Sequence, residues 1–149
     1  MGIDYEVLPC DPELADTAVF CAHYGYSRDD SANTILVTSK SGERQYVACV
    51  VLASTRLDVN HTVRKRMGVR RISFASAEQT RSISGMEIGG VTPFTLPDDV
   101  PLWVDERVTL RQQVILGGGS RSCKIQIAPT VFAHTPNTEI IDGLAMEFD

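Results

Sequence analysis

Residues 47–53 read Val-Ala-Cys-Val-Val-Leu-Ala, the longest purely apolar run in the chain. The run is far below the roughly 20 residues that a membrane-spanning helix needs. Residues 45–53 instead predict a strand that is apolar on both sides of its alternation, and therefore buried on both faces. Whatever the remaining residues form must cover this strand from two sides. A strand over 33–38 precedes it, and Ser39-Lys40-Ser41-Gly42 reads as the turn of a hairpin between them.

The other elements are short. Residues 5–8 form a possible strand. Asp11 caps a helix with Pro12 at its first position, and Leu14, Ala18, Cys21 and Ala22 follow at helical spacing up to Gly25. Residues 27–31 are a polar loop. Asp58 or Asn60 caps a second helix, which Gly68 ends after Met67. Residues 70–75 predict a strand with Ile72 and Phe74 turned inward. Ser76 and Gln79 form a capping box for a third helix, ending near Ser84-Gly85. Pro97-Asp98-Asp99 is a turn, and residues 100–104 predict a strand that Pro101 assigns to a sheet edge. Strands over 113–116 and 122–127 flank a run of three glycines. Ala128-Pro129 opens a short helix, and 139–141 is a last strand. There is no internal repeat and no regular β-α-β alternation. The expected fold is α+β, with a mixed, curved sheet or barrel-like core surrounded by short helices.

The 149 residues predict one domain, 1–149, able to bury a core without staples. A net charge of −5 excludes generic polyanion binding, so nucleic acid must meet a local patch. Such a patch exists: Arg64, Lys65, Arg66, Arg70 and Arg71 fall in a stretch with no acid from Val59 through Ala77. It reads either as a solvated helix face or as a phosphate-contacting surface. Cys10, Cys21, Cys49 and Cys123 show no C-x-x-C spacing, and His23, His61 and His134 complete no zinc pattern. No metal or cofactor is expected. Cys49 and Cys123 read as small core residues, the histidines as surface or satisfied side chains. With no signal peptide and no membrane span, a reduced, cytoplasmic setting is expected.

Two glycine-rich stretches carry the chemistry. In Gly89-Gly90-Val91-Thr92-Pro93-Phe94, paired glycines let a ligand approach the main chain, and Pro93 then stiffens the loop and extends Thr92. Gly117-Gly118-Gly119-Ser120-Arg121 lies between two strands, where glycines weaken pairing unless the backbone must bend or touch something. It lacks the Gly-Lys-Ser/Thr end of a P-loop, and Ser120 is outside any G-x-S-x-G.

Taken with Ser31-Ala32-Asn33-Thr34-Ile35-Leu36-Val37, Arg56-Leu57-Asp58, Gly85-Met86-Glu87-Ile88 and Val100-Pro101-Leu102-Trp103-Val104-Asp105, these loops resemble the YbaK/prolyl-tRNA-synthetase-associated editing family, the aminoacyl-tRNA deacylases. The resemblance covers about residue 15 to the end. It implies a mixed, barrel-like sheet with helices around it, and hydrolysis of the ester joining a wrong amino acid to tRNA. It also implies that residues 89–93 line the aminoacyl pocket and that their backbone amides hold the ester.

One position departs from the family. Members commonly carry a lysine where this chain has Asn33. Lys40 is seven residues further, about 23 Å along an extended strand, so it cannot replace that lysine. Lys124, after the second glycine loop, is the better candidate. The expected roles follow. Asn33, Gly89, Gly90 and Lys124 are catalytic. Val91, Thr92, Pro93 and Phe94 join Gly118, Gly119, Ser120 and Arg121 in binding substrate. Arg64, Lys65, Arg70 and Arg71 touch tRNA phosphates. The expected partners are the acceptor end of an aminoacyl-tRNA and, as a further candidate, an aminoacyl-tRNA synthetase, with no membrane; oligomeric state is open. A second reading is a binding module with the same fold and weak or no catalysis, and a third is hydrolysis of another small acyl ester.

Overall fold

A computed structural model describes residues 4–40 and 44–147. Ser41 and Gly42 of the predicted turn lie outside them. The hairpin itself is present: β2 (Ala32–Ser39) pairs antiparallel with β3 (Tyr46–Leu52), with Asn33 opposite Val51 and Val37 opposite Val47. β3 lies at the middle of a five-stranded sheet. On the far side of β2 is the short β5 (Ile72–Phe74); beyond β3 come β6 (Leu102–Asp105) and β9 (Thr138–Ile141), both parallel.

The alternation of β3 sends side chains into two cores, as its composition predicts. Ala48, Val50 and Leu52 pack with Leu102, Val104, Leu116 and Phe132 on one side. Val47, Cys49 and Val51 pack with Val63, Ile141 and Leu144 on the other. Burying each of the valine, leucine, isoleucine and phenylalanine side chains among these contributes about 1.5–3 kcal/mol. A three-stranded sheet covers the first face: β8 (Cys123–Ile127) lies between β1 (Tyr5–Pro9) and β7 (Val114–Gly117), antiparallel to both. On the second face lie a π-type turn over Val59–Val63 and helix α2 (Arg64–Met67). Near them β4 (Thr55–Leu57) pairs with β10 (Ala145–Glu147), two strands that sequence periodicity did not indicate. The strands thus fall into three sheets, with no closed barrel among the described residues. No helix of the described residues is long and apolar enough to cross a membrane.

Three local expectations are corrected. The first helix is broken: a 3-10 turn over Pro12–Leu14, capped by the Asp11 carboxylate, gives way to α1 (Thr17–Tyr24). Asp16 is extended between them, and its buried neighbours are Ala15, Phe20 and Cys21, while Ala18 and Ala22 are exposed. Pro101 does not mark an edge. It stands one residue before β6, where its missing N–H costs no ladder bond, and its carbonyl accepts the Ala48 N–H at 2.9 Å. Phe74 is 58% exposed rather than inward. It ends the short edge strand β5, where the covering layer stops. The remaining helices are α3 (Ala77–Ser84), with its capping box intact, and α4 (Glu106–Thr109).

Asp105 ends β6 at 1% exposure. Its nearest cation is Arg107, 4.0 Å away, and the amides of Leu144 and Ala145 approach without closing to hydrogen-bond geometry. Burial therefore raises its carboxyl above the ordinary carboxylate range, against the pull of Arg107 and the amides. A raised folded-state value means that stability is greatest below the unfolded value and is lost as pH rises through the folded one. Asp105→Asn is expected to raise the melting temperature at neutral pH, with the gain vanishing as the medium is acidified. Identical thermal-melt pH profiles for the two proteins would refute this.

Candidate active site

The site is built where the edge of β2 meets the three-stranded sheet. Beyond Asn33 and Thr34 the edge of β2 carries no strand, because β5 pairs only with residues 37–39. The start of α1, the first glycine loop and the end of β7 fill that space. Together Thr17, Asn33, Thr34, Gly89, Val91, Gly117 and Lys124 line a cavity of about 30 Å³, enough for a water molecule.

Lys124 is the centre of charge. It occupies the central strand β8, opposite Leu8 on β1 and Gly117 on β7, and is 4% exposed. Its ammonium donates to the Ala15 carbonyl at 2.5 Å and to the Gly89 carbonyl at 2.8 Å. The Ala15 carbonyl is available because the helix breaks there. An ammonium has three donors, so one is left for the cavity it lines. The Nζ also lies 5.4 Å from the centre of the Phe20 ring, whose face is electronegative. Burial lowers the Lys124 pKa from its ordinary value, and neighbouring Arg121 lowers it further, against the opposing influence of Cys10 and Asp16.

Asn33 stands across the cavity. Its Oδ1 accepts a hydrogen bond from the Thr17 hydroxyl. With Oδ1 engaged by the hydroxyl, the NH₂ end is left to donate. The buried Thr34 hydroxyl, also at the cavity, has no hydrogen-bond partner among the described residues.

The two glycine loops lock together backbone against backbone. The Gly119 N–H donates to the Gly90 carbonyl at 2.8 Å. A Cβ on Gly90 would lie 2.4 Å from the Ser120 carbonyl carbon, and one on Gly117 would lie 2.1 Å from the Val91 oxygen. Close approach, more than left-handed φ, explains glycine at these two positions. Arg121 clamps the assembly: its guanidinium donates to the Pro12 carbonyl at 2.8 Å, the Ile88 carbonyl at 2.6 Å and the Asp16 carboxylate at 3.1 Å.

The cavity gathers Asn33, Gly89, Val91 and Lys124 from the sequence-derived set. Other members take different positions. The Gly90 N–H is bonded to the Glu87 carbonyl at 2.9 Å, and the Thr92 N–H faces the Met86 sulfur at 3.4 Å. Neither is a free donor, whereas the N–H groups of Gly89 and Val91 make no bond among the described residues. Pro93 and Phe94 line a separate hollow of about 250 Å³ with Leu96, Val100 and Pro136, where Phe94 stacks on Phe132. Thr92 is buried between the loops. Gly118, Gly119, Ser120 and Arg121 support the first loop from behind instead of lining the cavity. No cysteine lines it either. Arg64, Lys65, Arg70 and Arg71 lie on another face, and sequence reasoning missed Thr17 because nothing local links it to Asn33. No group of three or more His, Cys, Asp or Glu among the described residues could hold a metal ion.

Solved structures share this architecture. The hypothetical protein APE2540 superposes with a TM-score of 0.83 at 23% identity, over 97% of this chain and 93% of its own. A candidate trans-editing enzyme for prolyl tRNA synthetase gives 0.79 at 18% identity, over 97% and 87%. A scaffold protein used for epitope grafting gives 0.80 at 16%, over 97% and 88%. At these identities the likeness shows the fold alone. The family model described as "Aminoacyl-tRNA editing domain" matches residues 11–134, which include the Thr17–Asn33 pair, both glycine loops and Lys124. The chain therefore belongs to the aminoacyl-tRNA editing domain family.

Proposed function

We propose that this protein is an aminoacyl-tRNA deacylase that hydrolyses the ester of a mischarged tRNA in trans. The observation that carries the reading is the convergence of a buried ammonium, an oriented amide and a glycine loop on a cavity the size of a water molecule. Water adds to the ester carbonyl, the carbonyl π electrons move onto oxygen, and the collapse expels the terminal ribose oxygen. That oxygen takes a proton, giving free amino acid and uncharged tRNA. The N–H groups of Gly89 and Val91 and the third donor of Lys124 stabilise the developing oxyanion. A well-placed donor of this kind contributes about 2.7–4 kcal/mol. The Asn33 NH₂ orients the attacking water or the neighbouring ribose hydroxyl. Editing of this sort compensates for side chains that differ too little for binding alone to separate them.

Asn33 in place of a lysine favours one other reading, a module that binds tRNA ends or a synthetase without hydrolysis. A panel of mischarged tRNAs separates the two. Release of amino acid from at least one member is expected. Salt-sensitive binding with no release from any member would overturn the deacylase and leave the module, and activity appearing only in Asn33→Lys would do the same.

A further inference from the structure

We propose that a groove of about 590 Å³ on the outer side of β2 and β3 receives the 3′-terminal nucleoside of the tRNA, with its base stacked on Phe74. The ligand rests on the deacylase reading; the site rests on its own geometry. The cavity beside Lys124 holds little more than water, so the body of any ester substrate must lie outside it. Asn33 lines both the cavity and the groove. A nucleoside in the groove therefore presents its ribose ester at the residue that leads to Lys124.

The lining suits a base. Ile35 and Val51 form an apolar floor, Asn60 and Asn33 add amide groups at the borders, and Phe74 offers a ring that stacks on no other aromatic among the described residues. A volume of about 590 Å³ falls within the range of sites that enclose small ligands. Asp58 also lines the groove, but its carboxylate is held by the His61 N–H and the Thr62 hydroxyl.

Charge points the same way. Arg64 stands at the rim, its Nε donating to the Asn60 carbonyl at 2.7 Å. Lys65 is exposed on the same helix, and exposed Arg70 and Arg71 lead directly into the strand that carries Phe74. Arg66 differs, being paired with Glu139 at 2.7 Å. On a chain of net charge −5, this is where a polyanion's end finds complementary charge beside a stacking platform.

The test uses an uncharged RNA minihelix with a single-stranded 3′ end, and the same minihelix lacking its terminal nucleoside. Removing the nucleoside should weaken binding to the wild type by about 5- to 150-fold, the range of one base–aromatic stack. Phe74→Ala should weaken the complete minihelix similarly and make the two RNAs bind alike, with an unchanged melting temperature. Phe74→Trp should restore the difference, with its fluorescence quenched on binding. Equal sensitivity to truncation in the wild type and Phe74→Ala overturns the proposal. So does an altered preference among amino acids in Phe74→Ala with minihelix binding unchanged, which would place the amino-acid side chain in the groove. Because the RNA is uncharged, Phe74-dependent binding without any deacylation would overturn the deacylase and keep the groove. Deacylation with kcat and KM unaffected by Phe74→Ala would overturn the groove and keep the deacylase.

Discussion

Lys124→Met is expected to lower the rate of deacylation by about 100- to 1,000-fold, the cost of removing one oxyanion donor. Methionine keeps an unbranched apolar stem that ends where the ammonium begins. The loss should fall on kcat, because the donor faces charge that develops during the reaction and not in the ground state. Stability moves through two opposing effects. The variant leaves the Ala15 and Gly89 carbonyls without their donor, at about 1–3 kcal/mol for each that stays buried and unpaired. It also removes a buried charge whose desolvation opposes folding at neutral pH. The sign of the second effect can be read from pH. The folded pKa of Lys124 is depressed below the ordinary 10.5, so its contribution is most favourable above 10.5 and declines as pH falls through the folded value. Wild-type stability should thus carry a rise with pH in that window that Lys124→Met lacks. Single-turnover deacylation and urea denaturation across pH measure both effects. An unchanged rate in folded Lys124→Met would remove the lysine from the chemistry.

Gly117→Ala is the second substitution with a large expected effect, and it acts through packing. The new methyl group would lie 2.1 Å from the Val91 oxygen and 3.1 Å from the Gly90 carbonyl carbon. These are backbone atoms, which cannot swing aside as a side-chain tip does. Overpacking of this kind costs about 1–3 kcal/mol or more. The first glycine loop would have to leave β7, carrying Gly89 and Val91 away from Lys124. Melting temperature and deacylation should therefore fall together. Gly90→Ala, whose methyl group would meet Ser120 at 2.4 Å, should behave in the same way. Its N–H is already bonded to Glu87, so its loss of activity would report displacement of the loop rather than removal of a donor. Full stability with abolished activity in either variant would contradict the packing account.

Both substitutions concern residues that the sequence had brought forward, yet their duties divide differently from the expectation. Residues 89–94 looked like one pocket-lining loop. In the fold Gly89 and Val91 face Lys124 and Asn33, while Pro93 and Phe94 face another hollow next to Phe132. Arg121 reads in the sequence as a substrate-binding residue. Its guanidinium is instead taken up by Pro12, Ile88 and Asp16, more than 30 residues away in sequence in each case. The basic stretch is real as a local feature, but only the placement of Phe74 and Asn60 gives it a groove to flank.

The sequence by itself determined what depends on near neighbours. Helix caps at Asp11 and Ser76 and the glycine stops at Gly25, Gly68 and Gly85 were legible because a cap is satisfied within a few residues. Burial of β3 on both faces was legible because side-chain alternation is a property of the strand itself. The tertiary structure alone decided the rest. Pro101 could precede an interior strand because β3 and β9 happened to flank β6. The carbonyl left free where the first helix breaks at Ala15 receives a lysine from 109 positions along the chain. Asn33 acquires its orientation from Thr17, and Lys124 its altered acidity from burial beneath α1. Such contacts join residues that no local pattern links, and the physical reason is that desolvation and hydrogen-bond partners are set by what the folded chain brings into contact.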